Sequence, residues 1–111
     1  MNKSSKVFVD AQFLRDKNSK LVVKELAIVK LNGAVQSWMF AAPHQYDQLP
    51  QPIKYQNGWV AKNLHNMTWF DGEVPYHRLA PILMKCIPVG SRVYVKGTEK
   101  VSFFKHLVCF N

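Results

Sequence analysis

Lys6–Leu14 reads KVFVDAQFL, and this stretch decides the fold. Val7, Phe8 and Val9 run without a polar break, the pattern of a strand covered on both faces. Asp10 interrupts the run, and a carboxylate in such a place is costly unless something pairs or binds it. The stretch reads as the central strand of an α/β sheet, with Asp10 aimed at a site or a former site.

Working outward, Arg15–Lys20 (RDKNSK) is polar and reads as a hairpin loop. Leu21–Leu31 carries Val22, Val23, Ile28 and Val29 and reads as a second strand. Asn32–Gly33 is a two-residue hairpin signal, because both residue types tolerate positive φ. Ala34–Phe40 is then a third strand. Both connections are short, so the three strands form an antiparallel meander.

The character changes at Ala41. Pro43, Pro50 and Pro52 punctuate a polar loop. Ile53–His65 has helical spacing, with Tyr55, Trp59, Val60 and Leu64 expected on the inner face. Gly58 weakens that helix by about 1 kcal/mol relative to alanine. Asn66–Val74 is a second loop, with an Asp71–Gly72 turn. Pro75 suits a first helical position. Leu79, Ile82, Leu83, Cys86 and Ile87 form the next helical stripe, and Pro81 fits only in its first turn or at a kink. Ser91–Lys96 reads as a strand. Thr98 is the expected N-cap of a last helix, Glu99–Phe110, which buries Val101, Phe104, Leu107 and Val108. A right-handed helical crossover lays the fourth strand parallel to the first. The expectation is an α/β fold: one mixed β-sheet of order 3-2-1-4, the three-stranded meander followed by α-α-β-α, in a single domain over residues 1–111.

The chain's 111 residues suit one small domain, and 48% hydrophobic residues favour a packed fold over disorder. No apolar run approaches the roughly 20 residues of a membrane-spanning helix, and MNKSSK lacks the apolar core of a secretory signal. No membrane partner and a cytoplasmic or nuclear location are expected. Cys86 and Cys109 lie in no CxxC and read as free thiols rather than a disulfide. The net charge of +8 favours an anionic partner, with nucleic acid first.

This arrangement resembles the ribonuclease H-like fold and, within it, the DEDD family of 3′–5′ exonucleases, from about Val7 to Leu107. The family's first strand carries Asp-x-Glu, matched here by Asp10-Ala11-Gln12. Its second strand resembles Glu25-Leu26-Ala27-Ile28-Val29, and its His-Gly-Ile-Thr segment resembles His65-Asn66-Met67-Thr68. Its next strand leads into Asn-x-x-[Phe/Tyr]-Asp at a helix start. Val93–Lys100 occupies that place, with Glu99 nearest the family's aspartate. These enzymes hold two divalent metals with about four carboxylates.

The resemblance therefore implies Asp10 and Glu99 as metal ligands, with Mg or Mn if the site is active. Gln12 withdraws the charge of the family's glutamate, and no counterpart of the family's third motif is present. The expected function is a catalytically degenerate exonuclease-like domain in which Asp10, Gln12 and Glu99 mark the remnant site. It needs no cofactor and binds RNA or DNA through a basic surface. The alternatives are a protein-interaction or dimerisation module reusing the fold, and an active two-metal nuclease completed by other carboxylates.

Arg92, Lys96 and Lys100 flank the turn at the site's mouth and are the expected nucleic-acid contacts. Trp69, in a polar loop, is the expected stacking residue, whereas Trp38 and Trp59 are expected in the core. Plainer roles compete. Asp10 suits pairing with a lysine such as Lys96, and Glu99 suits an ordinary helix N-terminal charge. His44, His65, His77 and His106 share no spacing and read as structural or surface residues.

Overall fold

A computed structural model describes residues 6–108, the side chains of His106 and Val108 excepted. Strands β1 (Lys6–Arg15), β2 (Leu21–Lys30) and β3 (Val35–Met39) precede helices α1 (Gln51–Val60) and α2 (Leu79–Cys86). Strand β4 (Arg92–Val95) and helix α3 (Thr98–Val108) follow. The sheet order is β3-β2-β1-β4, and β4 runs parallel to β1 with Lys6 opposite Arg92 and Val9 opposite Val95. The mixed α/β sheet expected from short links and one helical crossover is the one observed. The β2–β3 turn closes through Gly33 N–H to Lys30 O at 2.9 Å, and of its Asn-Gly pair only Gly33 takes positive φ.

Strand β1 is not covered on both faces. Val7, Val9, Ala11 and Phe13 are buried, while Lys6, Phe8 and Asp10 are exposed. The unbroken apolar run is explained differently: Phe8 lies on the open face and stacks on a tyrosine of β4. Phe13 and Leu14 are both buried, so the alternation shifts phase there.

The described residues fall into two compact units. The first comprises 6–10, 27–37 and 77–108. Its buried side chains are Val7, Val9 and Ile28 from the strands, Leu79, Leu83 and Ile87 in and just after α2, and Phe104 from α3. Helix α2 contacts α3, and Pro81 is accommodated as its third residue, where no intrahelical N–H is required of it. Cys86 is a free, half-buried thiol, and Cys109 and Phe110 lie outside the described residues.

The second unit comprises 11–26 and 38–76. Leu14, Val22, Leu49, Ile53 and Trp69 form its core cluster. Helix α1 buries Ile53, Asn57 and Ala61, one residue per turn. Of the expected inner face only Val60 packs on the core, while Tyr55, Trp59 and Leu64 are turned to solvent, at 78%, 53% and 67% exposure. Asn57 explains the difference. Strand β4 ends opposite Val9, so β1 runs on past it. Asp16 N–H donates across the hairpin to Lys20 O, so the backbone groups of Arg15, one residue earlier, point away from β2. The Asn57 amide meets them: Oδ1 accepts from Arg15 N–H at 2.7 Å, and Nδ2 donates to Arg15 O at 2.8 Å. One side chain thus pairs both groups of a strand residue, and this outweighs asparagine's polarity in choosing the buried face.

His65 acts two residues back along the same edge. Its Nδ1 accepts from Met67 N–H at 3.0 Å, so the ring proton resides on Nε2, which donates to Phe13 O at 3.1 Å. Replacing Asn57 by alanine removes two hydrogen bonds and leaves Arg15's backbone groups without them. The expected loss is about 2–3 kcal/mol of unfolding free energy in denaturant titration. Asn57→Asp, which keeps the size but loses the donor, is expected to fare no better.

Candidate nucleic-acid interface

On the open side of the first unit, β1 presents Lys6, Phe8 and Asp10, and β4 presents Arg92 and Tyr94, all exposed. The period of two along each strand puts these residues on one face, and the parallel register sets Lys6 opposite Arg92 and Phe8 opposite Tyr94. The two rings stack, with centroids 5.2 Å apart and planes 22° from parallel, yet each remains 42% exposed. Burial alone does not account for two large aromatics left half in water. Lys96 is exposed just beyond the register pair Val9–Val95. The face therefore offers a stacked aromatic pair with a lysine–arginine pair beside it.

Arg92 is thus brought to the same face as the aromatic pair, and Lys96 is exposed in the bend that follows β4. Lys100 is half-buried in the first turn of α3, and Glu99 is exposed beside it. Asp10 is exposed on β1, and Gln12, half-buried, follows two residues on. Among the described residues no three His, Cys, Asp or Glu side chains converge as a metal centre would require.

Trp69 is not an exposed stacking residue. It is buried in the core cluster of the second unit, and its indole N–H donates to His44 O at 2.8 Å. Trp59 is exposed and Trp38 half-buried, against the expectation that both are core residues. Polar neighbours in sequence made Trp69 look exposed, whereas its burial depends on contacts with Leu14, Val22, Leu49 and Ile53.

Two further polar groups of the second unit have structural work. His44 Nδ1 lies 2.6 Å from Asp16 Oδ2, while Asp16 Oδ1 accepts from Lys17 N–H at 2.8 Å. Lys24, in β2, is buried at 1% exposure. Its ammonium donates to the backbone oxygens of Trp69 (3.1 Å) and Asp71 (2.5 Å). Burial lowers its pKa from 10.5 to about 8, against the pull of the Asp71 carboxylate.

No protein-family model matches the chain, and no curated protein matches it. Among the described residues no helix is long and apolar enough to cross a membrane.

Proposed function

We propose that this chain binds nucleic acid, with the open sheet face of its first unit as the contact surface, and that it does so as an exonuclease-like domain whose catalytic positions are degenerate. One observation carries the reading: Phe8 and Tyr94 are stacked, half-exposed and flanked in register by Lys6 and Arg92. Aromatic rings on an open sheet face give bases a sequence-tolerant stacking platform. Flanking cations contact phosphates and release counterions. The net charge of +8 favours the same class of partner. Asp10 lies on this face as an exposed carboxylate, where it discourages a phosphate at that point and favours a sugar or base edge.

The test is fluorescence anisotropy with labelled single-stranded and duplex RNA and DNA, in Mn²⁺ and in EDTA, at low and high salt. Phe8→Ala/Tyr94→Ala is expected to weaken single-strand binding by about tenfold or more, since each stacked base contributes roughly 1–3 kcal/mol. Arg92→Gln and Lys96→Gln are each expected to flatten the log–log salt dependence by about one. The probe is expected to stay intact in Mn²⁺. Binding that ignores the loss of both rings would refute this surface, and a shortened probe would refute the degenerate site.

A further inference from the structure

The second unit carries a cleft of about 380 Å³ that none of the preceding roles uses. Tyr46, Trp69 and Phe70 form its aromatic wall, Gly58 and Ala61 its bare helical side, and Lys62 stands on that same side. Tyr46 and Phe70 lie against each other with centroids 5.1 Å apart, and Phe70 is 75% exposed. Lys54 also lines the cleft and holds its ammonium 4.9 Å from the Tyr46 ring centroid. The cleft therefore combines an accessible aromatic surface with two cations, in the size range of small-molecule sites.

Two features of the backbone point to the same place. Gly58 sits inside α1, where glycine costs about 1 kcal/mol relative to alanine. A Cβ built there meets nothing within 4 Å, so packing does not require the missing side chain. What glycine keeps is an open helical surface on the cleft. Immediately after it, α1 widens into a π-helical turn over Ala61–His65, closed by Asn66 N–H to Ala61 O at 2.7 Å. Such turns are rare and concentrate at functional sites. This one contributes Ala61 and Lys62 to the cleft and ends in Asn66, which also lines it, in the left-handed conformation. Thr68, which also lines the cleft, is held by Asp71, whose Oδ2 accepts both its N–H (2.7 Å) and its hydroxyl (3.2 Å).

We infer that this cleft binds a nucleoside monophosphate, its base against the Tyr46–Phe70 wall beside Gly58 and its phosphate between Lys54 and Lys62. A planar ring accounts for the aromatic wall and the bare glycine. A phosphate accounts for the two lysines that line the cleft. Asn66 and Thr68 supply the polar groups that orient a base or ribose. The same chemistry is offered by a free nucleotide and by the phosphorylated end of a strand.

The test is isothermal titration of the full chain with 5′-AMP, 5′-UMP, adenosine, inorganic phosphate and a short 5′-phosphorylated oligonucleotide. The monophosphates are expected to bind one per chain, with adenosine and phosphate alone each weaker by about tenfold or more. Gly58→Leu, which favours the helix and fills the cleft, is expected to lower nucleotide affinity by about tenfold or more without lowering Tm. Lys54→Gln/Lys62→Gln, both at the protein surface, is expected to do the same with reduced salt dependence. Phe8→Ala/Tyr94→Ala is expected to leave 5′-AMP binding intact, which separates this cleft from the sheet face. Tighter binding of the phosphorylated oligonucleotide than of 5′-AMP would assign the site to strand ends, and equal or weaker binding to free nucleotides. No heat from either monophosphate at millimolar concentration, or undiminished affinity in Gly58→Leu, would overturn the inference.

Discussion

Gly72→Ala is expected to cost about 4 kcal/mol or more, enough to unfold most or all of a domain of ordinary stability. Gly72 has φ +105°, a region that side chains rarely adopt, and its α-carbon is pressed against backbone. An added Cβ would overlap the carbonyl of Phe40 and come within 2.9 Å of Ala41 N. Neither neighbour can withdraw. Phe40 is fully buried, and its N–H donates to Lys24 O at 2.8 Å. Ala41 N–H donates to Val74 O at 2.8 Å, and Val74 N–H returns to Met39 O at 3.0 Å. Phe40 and Val74 thus form a parallel bridge that clamps the Asp71–Gly72 turn in place. Gly90→Ala is the control: it too has positive φ, at +83°, but nothing lies within 4 Å of the added carbon. Its expected cost is about 1 kcal/mol, from backbone conformation alone. Denaturant titration of both variants gives the comparison. Equal, small losses would show that the turn is not pressed against Phe40.

Lys24→Ala is the second large effect, expected at about 3–5 kcal/mol near pH 7. Lys24 is among the largest fully buried side chains of the described residues, so truncation opens a cavity of the kind that costs about 2–5 kcal/mol. It also strips the backbone oxygens of Trp69 and Asp71 of a charged donor. The gain from no longer burying a charge offsets only part of this. That burial cost gives a pH signature with a definite sign. The folded pKa of about 8 lies below the unfolded 10.5, so between those values the unfolded chain holds a proton that the folded chain has released. Wild-type stability therefore gains relative to Lys24→Met as pH rises from about 8 to 10.5, by on the order of 3 kcal/mol. The Tyr76 hydroxyl opposes this above pH 10, because burial holds its pKa above the usual tyrosine value and the unfolded chain ionises first. Taking the wild-type minus Lys24→Met difference cancels Tyr76. A difference flat across this range would show that the ammonium is as well solvated in the folded chain as outside it.

The sheet was legible because its determinants are local. Short polar links fix antiparallel neighbours, Asn32–Gly33 fixes a turn, and one helical crossover fixes a parallel strand. Arg92 and Lys96 were legible as cations beside β4, and both are exposed. What escaped depends on partners far along the chain. Asn57 is buried because Arg15, 42 residues away, needs both its amide atoms. Lys24 is buried because carbonyls 45 and 47 residues on await it. Helical spacing alone put Tyr55 and Trp59 on the inner face, and it carries no sign of the Arg15 groups that draw Asn57 there. Phe8 hid between two valines, and its exposure shows only once Tyr94 is beside it.

The Asn57 amide also has a consequence for how this protein meets other chains. A strand recruits a neighbour by offering N–H and C=O groups in a row, and such a row invites aggregation or exchange of strands between copies. Along the far half of β1 the row is already spoken for: Asn57 takes both groups of Arg15, and His65 takes the carbonyl of Phe13. Along this stretch two side chains supply the hydrogen bonds that a neighbouring strand would. They do so without presenting a new edge, so the sheet cannot be extended by another chain there.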